Sequence, residues 1–137
     1  MSEGLLDTNL FIHAMTMDDH SQDCQEFLRA LARGDILARL EVAVLHELTS
    51  VVPRYRKQMD RTQLGEYLRT VIEWPGVTGD KVLLLDVLGR WESTPGLGFV
   101  DAYLAMLATE RRCPIYSKNV HELRGQGVTV PDPLAVT

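Results

Sequence analysis

Several things are scarce in this sequence, and each shortage closes off a class of protein. Cysteine occurs twice in 137 residues, at Cys24 and Cys113. Two thiols so far apart suggest neither a metal knuckle nor a disulfide scaffold, so both are expected as reduced thiols in or near the core. No stretch approaches the ~20 consecutive apolar residues that a membrane span needs. The N-terminus has no basic region followed by a long apolar one, so no secretory leader is read there and the chain is expected in the cytoplasm. Positive charge is short too, and the formal net charge is −5. A protein that simply coats nucleic acid is usually basic, which counts against a passive coat. An enzyme that reaches phosphate through bound cations stays open, because a divalent ion neutralises clustered carboxylates. Internal repeats and low-complexity segments are absent.

What is present describes an ordinary globular chain. Apolar residues make up 45% and charged residues 24%, and the length suits a single domain, 1–137, with one core. Leu5-Leu6 runs straight into Asp7-Thr8-Asn9 and then into Leu10-Phe11. A short apolar run ending in turn-forming residues reads as a buried strand, with Asp7 at its C-terminal tip. In an open parallel sheet that tip faces the crevice where ligands bind. Thr8 and Asn9 are placed to cap the helix that follows. A second reading makes Asp7 only a helix cap.

The periodicity predicts helices over 11–16, 21–33, 42–57, 60–73, 80–92 and 98–112, with a short turn or helix over 119–123. Cys24, Phe27, Leu28 and Leu31 line one face of the second. Val44, Leu45, Leu48, Val51 and Val52 point inward from the third, and Pro53 kinks or ends it. Leu64, Leu68, Val71 and Ile72 form the apolar face of the fourth. Strands are predicted over 36–40, 77–78, 114–117 and 128–130, and the tail from Pro131 is expected to be a loose edge. Short strands alternating with helices imply parallel pairing, so the fold class is α/β, a three-layer α/β/α sandwich.

Further polar groups fall where they can join Asp7. Glu47 interrupts the apolar run Val44-Leu45-His46-Glu47-Leu48, and a carboxylate on a half-buried helix is costly unless paired or bound to a cation. Asp101 sits in the first turn of a helix, where the dipole favours its charge. Asn119 follows the strand Ile115-Tyr116-Ser117. Each has a plain alternative: a helix-start charge for Asp101, an ion-pair partner for Glu47, a cap or turn residue for Asn119. Four distant segments each supplying such a residue make the plain alternatives less attractive together.

These pieces resemble the PIN-domain ribonucleases, most closely the VapC-type toxins of bacterial toxin–antitoxin modules. The matching stretches are Leu5-Leu6-Asp7-Thr8-Asn9, Leu45-His46-Glu47-Leu48, the run from Gly96 through Asp101 to Ala105, and Ser117-Lys118-Asn119-Val120, in the family's order and spacing. The resemblance covers nearly the whole chain. It implies a short-stranded parallel sheet of order 3-2-1-4-5 and metal-binding carboxylates at Asp7, Glu47 and Asp101. It puts Asn119 at a fourth site position that is often Asp, and Thr8 and Ser117 at small hydroxyl positions near the site. Hard oxygen ligands suit Mg²⁺ or Mn²⁺. Such a cation lowers the pKa of a water and stabilises charge on phosphate oxygens, which supports phosphodiester hydrolysis. The resemblance further implies an RNA substrate, products with a 5′-phosphate and a 3′-hydroxyl, a homodimer and a cognate antitoxin protein.

Rival readings fit fewer residues. A phosphotransferase of the haloacid-dehalogenase type wants a second carboxylate two residues after Asp7, where Asn9 stands. A receiver domain wants an acidic pair at the first strand's end. A catalytically weak PIN-like binding module differs only in lacking activity, and Asn119 keeps it open. The histidines His13, His20, His46 and His121 form no metal-spaced pair, although His121 and Glu122 lie near the expected site. Arg54, Arg56, Lys57 and Arg61 form one basic run, and Arg111, Arg112, Lys118 and Arg124 another. Both read as solvated faces first and RNA-backbone contacts second. Trp74 and Trp91 are expected to fill core or subunit contacts.

Overall fold

The structure, a computed structural model, describes residues 3–131. The tail expected to be a loose edge lies, beyond Pro131, outside the described residues. The chain divides into two compact units, Met1–Leu85 and Asp86–Thr137. Among the described residues the fold is α/β, with seven helices and a three-stranded parallel sheet. No helix among them is long and apolar enough to cross a membrane.

The first unit holds the sheet. Strands β1 (Gly4–Leu5), β2 (Ala38–Arg39) and β3 (Val77–Thr78) lie in the order β1-β2-β3, all parallel. Parallel neighbours need long crossovers, and two helix pairs supply them. Helices α1 (Thr8–Met15) and α2 (Ser21–Arg33) join β1 to β2, while α3 (Val42–Tyr55) and α4 (Arg61–Glu73) join β2 to β3. The register sets Gly4, Ala38 and Val77 on one face and Leu5, Arg39 and Thr78 on the other. Ala38 and Val77 are buried with Leu40, whereas Leu5 is 71% exposed.

The helical faces follow their periodicity. Leu31 of α2, Leu45, Leu48 and Val52 of α3, and Leu68, Val71 and Ile72 of α4 are buried with Phe11 of α1. Gly34 ends α2 in the left-handed region, φ 84°, where glycine carries no side-chain penalty. Gly76, just before β3, is fixed by packing: a Cβ there would lie 2.3 Å from the carbonyl oxygens of both Leu31 and Ile36. Pro53 is accommodated inside α3, two residues before its end at Tyr55.

The second unit is helical. Helix α5 (Lys81–Ser93) enters it, followed by α6 (Phe99–Arg111) and the short α7 (Val120–Gly125). Leu88, Trp91, Leu97, Phe99, Ala102, Ala105, Met106 and Leu123 are buried. Gln126, just after α7, donates to Thr94 Oγ1 at 2.6 Å and accepts from Arg90 at 3.4 Å. The strands expected over 114–117 and 128–130 are not formed as such. One ladder-type bond remains, Ile115 N–H to Thr129 O at 2.9 Å. Pro114 and Pro131 bound these segments, and neither can donate to a ladder. Both cysteines are free thiols. Cys24 is partly buried, but Cys113 is exposed, just past Arg112, which ends α6 in the left-handed region at φ 52°.

Candidate active site

Asp7 occupies the N-cap position of α1, at the C-terminal side of β1, with extended backbone angles of φ −111° and ψ 149°. Helix α1 therefore starts earlier than the sequence pattern predicts. Thr8 and Asn9 form its first turn and do not cap it. A carboxylate at this position ordinarily accepts a hydrogen bond from the N2 or N3 backbone N–H. The Asp7 carboxylate makes no such bond. It is exposed and has no side-chain partner among the described residues. The reading of Asp7 as only a cap is thereby weakened, because the capping bond is missing.

Thr8 stands next to it and presents the opposite anomaly. Its side chain is buried, 4% exposed, and its hydroxyl has no hydrogen-bond partner. Buried hydroxyls are almost always satisfied, and an unsatisfied one costs roughly 1–3 kcal/mol. Glu47 lies in the second turn of α3 and is exposed, so the burial cost expected for it does not arise. Its carboxylate has no ion-pair partner among the described residues.

In the second unit two of the expected residues meet. Asp101 is the third residue of α6, and Asn119 precedes α7 at its N-cap position. Asn119 does not cap α7. Its amide Nδ2 donates to Asp101 Oδ2 at 2.8 Å, and its backbone N–H donates to Ser117 Oγ at 3.0 Å. Ser117 thus fixes the backbone at Asn119, and Asn119 fixes the carboxylate of Asp101. Because the amide nitrogen faces Asp101, the amide oxygen is left for another contact. Glu122 lies beside Gly96, with Oε1 3.8 Å from where a Cβ on that glycine would sit.

The first unit offers hard oxygen donors at the Asp7 and Glu47 carboxylates and the Thr8 hydroxyl, and the second offers them at the Asp101 carboxylate and the Asn119 amide oxygen. Oxygen donors of this kind are the type a hard divalent cation takes. The unpaired Thr8 hydroxyl beside the uncommitted Asp7 carboxylate fits such a ligand or its water shell. Within each unit, no three His, Cys, Asp or Glu side chains among the described residues are gathered as a ready-made metal centre.

One polar cluster was not legible as such in the sequence. His13 Nδ1 meets Asp18 Oδ2 at 2.8 Å, Thr16 Oγ1 donates to the same oxygen at 2.8 Å, and His20 N–H donates to Asp18 Oδ1 at 2.8 Å. The His13 contact, the His20 backbone N–H and the Thr16 hydroxyl together hold the Asp18 carboxyl well below the usual carboxylate range. The rings of His13 and His20 meet edge to face with centroids 5.0 Å apart. In sequence this segment shows only the polar run Asp18-Asp19-His20-Ser21; an aspartate accepting from the N–H two residues on is a turn device. Comparison with protein-family models, with curated proteins and with solved structures gives no match to this chain.

Proposed function

We propose that this protein is a metal-dependent endoribonuclease of the PIN type, the toxin of a toxin–antitoxin pair, hydrolysing RNA phosphodiester bonds. The observation that carries the reading is the β1–α1 junction. There a carboxylate in a capping position caps nothing, beside a buried hydroxyl with no partner. Both are polar groups that the fold leaves uncommitted, as a ligand site requires. The Asp101–Asn119 bond adds support, since it joins two of the motif pieces that carry the family resemblance.

The reading includes a five-stranded sheet of order 3-2-1-4-5 in a three-layer sandwich, which would bring Asp7, Glu47, Asp101 and Asn119 to one sheet edge. Asp7, Glu47 and Asp101 would hold Mg²⁺ or Mn²⁺, and the cation would supply Lewis acidity toward phosphate oxygens and water. Asn119 keeps the Asp101 carboxylate oriented without adding charge. Three carboxylates rather than four then face the phosphate, which lowers repulsion toward an anionic substrate. The proposed partners are RNA, a second copy of the chain and an antitoxin, whose entry into an acidic site calls for an arginine with bidentate reach.

The test is direct. Purified protein incubated with a mixed RNA pool should cut it in Mg²⁺ or Mn²⁺ and stop on addition of EDTA, leaving 5′-phosphate ends. Cutting that persists in EDTA would sink the metal-dependent mechanism. RNA binding with no cutting in any divalent ion would favour the binding-module alternative.

A further inference from the structure

We infer that the corner between α3 and α4 is a phosphate-tracking surface for single-stranded RNA, reached along one stripe of α3 from Glu47. The inference rests on the nuclease reading for the identity of the nucleic acid. The surface itself rests on charge and exposure in the first unit. Glu47, Ser50 and Arg54 are spaced i, i+3 and i+7 on α3, which places them on one helical face, and all three are exposed. Seven residues of helix separate Glu47 from Arg54 by about 10 Å along the axis. Beyond the end of α3 the chain continues with Arg56, which is half-buried, and Lys57, which is exposed.

These cations are clustered within four positions, and no acid answers them. Elsewhere Arg33 pairs with Asp35 at 2.8 Å, Arg39 with Glu41 at 2.6 Å and Arg90 with Asp86 at 2.8 Å. Arg54, Arg56 and Lys57 have no carboxylate partner among the described residues. Arg56 reaches only the carbonyl of Tyr55, at 3.2 Å. The nearest acid in sequence, Asp60, is engaged by α4, accepting from Gln63 N–H at 2.8 Å. The dipole of α3 accounts for a cation in its last turn. It does not account for three basic residues within four positions in a chain whose net charge is −5.

Two features favour a single-stranded nucleic acid over other polyanions, and the nuclease reading makes it RNA. Tyr55, between the basic residues, is 45% exposed and offers a ring face on which a base can stack. Arg56, Gln58, Met59 and Gln63 line a shallow cleft of about 280 Å³ beside it. A lipid surface would call for apolar anchors around the cations, and Tyr55 is the one exposed large apolar side chain among the described residues of this corner.

The experiment measures binding of a labelled single-stranded RNA to the full chain by fluorescence anisotropy, in EDTA and across a salt series. Arg54→Ala/Lys57→Ala is compared with Arg29→Ala/Arg33→Ala, which removes the same charge from α2. The first double variant should weaken binding about ten-fold at moderate salt. It should also lower the slope of log K against log salt by about 1.4, near 0.7 for each lost phosphate contact. The second should change binding less than about two-fold, since neither site is then engaged. Tyr55→Ala should weaken binding with the salt slope unchanged, while Tyr55→Phe and Arg54→Lys/Lys57→Arg should bind as the wild type does. Equal losses in the two double variants, or no loss in either, overturn the inference. Binding of the corner to phosphatidylserine vesicles in preference to RNA overturns it too. Corner-dependent RNA binding without metal-dependent cutting would remove the nuclease reading alone, and cutting with corner-independent binding would remove this one alone.

Discussion

The β1–α1 junction and the α3–α4 hairpin contain the same residue types and use them differently. Asp7 and Asp60 both occupy helix N-cap positions. Asp60 builds a full capping box: its side chain accepts from Gln63 N–H at 2.8 Å, and the Gln63 side chain accepts from Asp60 N–H at 2.9 Å. Asp7 builds nothing. The threonines repeat the contrast. Thr49 and Thr8 are both buried, yet Thr49 Oγ1 donates to His46 O at 2.6 Å while Thr8 Oγ1 has no partner. Folding consumes polar groups wherever a partner is within reach, because an unsatisfied one is costly. At the β1–α1 junction two adjacent polar groups stay uncommitted, an exposed carboxylate and a buried hydroxyl.

The largest expected effect tests that contrast on activity. Asp7→Asn should lower RNA cleavage by about 10²–10³-fold, the scale typical of losing one electrostatic element of a preorganised site. Asp60→Asn should leave cleavage within about two-fold, since asparagine caps nearly as well as aspartate. Single-turnover cleavage in Mn²⁺ reads both. Full activity in Asp7→Asn would return that residue to the status of an ordinary surface acid.

Asp101 is the intermediate case, neither consumed by a cap nor left alone, and it sharpens the comparison. Its partner is a neutral amide. Asn119→Asp would set a second carboxylate against it at hydrogen-bond distance, where like charges disfavour joint ionisation. In EDTA near neutral pH the variant should lose about 1–3 kcal/mol of stability, and Mn²⁺ should restore the loss while binding more tightly than in the wild type. Thermal melts with and without metal, with calorimetric titration alongside, report both. Unchanged metal affinity would place residue 119 outside the coordination sphere.

Next in size is the pair of threonines. Thr49→Val removes a hydroxyl that is already paired and should cost about 1–2 kcal/mol. Thr8→Val removes one that is not, and should leave the metal-free protein as stable as before or slightly more so. The same Thr8→Val variant should bind Mn²⁺ more weakly if the hydroxyl serves the metal or its water shell. Urea titrations in EDTA decide the first point. Equal destabilisation by the two substitutions would mean that Thr8 has a partner in solution.

How much of this was legible in the sequence depended on whether the signal was local. The faces of α2, α3 and α4 were, since Leu31, Leu48, Leu68 and Ile72 fell where 3.6-residue spacing put them. So was Asp60 as a helix start, because Asp-x-x-Gln carries its own geometry. The start of α1 was misplaced by three residues, as a threonine and an asparagine before an apolar run look like caps even when the preceding aspartate holds that position. The strands over 114–117 and 128–130 had the right composition, but bounding prolines left one hydrogen bond between them. Pairing depends on donors in another segment, which local pattern does not record. The motifs placed Asp101 and Asn119 at one site, but the direct bond between them, across 18 residues, was not readable from either stretch. Glu47 was misjudged in its burial, since apolar neighbours at 45 and 48 face inward while position 47 faces out.

The smallest effect completes the contrast from the structural side. Asp60→Ala removes the acceptor for the Gln63 N–H at the start of α4, whose first-turn donors have no intrahelical partners. The expected cost is about 1 kcal/mol, within the 0.5–2 kcal/mol range for such caps. At the midpoint this corresponds to a fall of about 4 °C. Gln63→Ala should cost less, because Asp60 N–H can turn to water at an exposed corner. Asp7→Ala should shift the melting temperature by under about 1 °C in EDTA, because no capping bond is lost there. If Asp7→Ala instead destabilised the protein as much as Asp60→Ala, its carboxylate would be capping α1 in solution. The unpaired state of the β1–α1 junction, on which the proposed site depends, would then have to be abandoned.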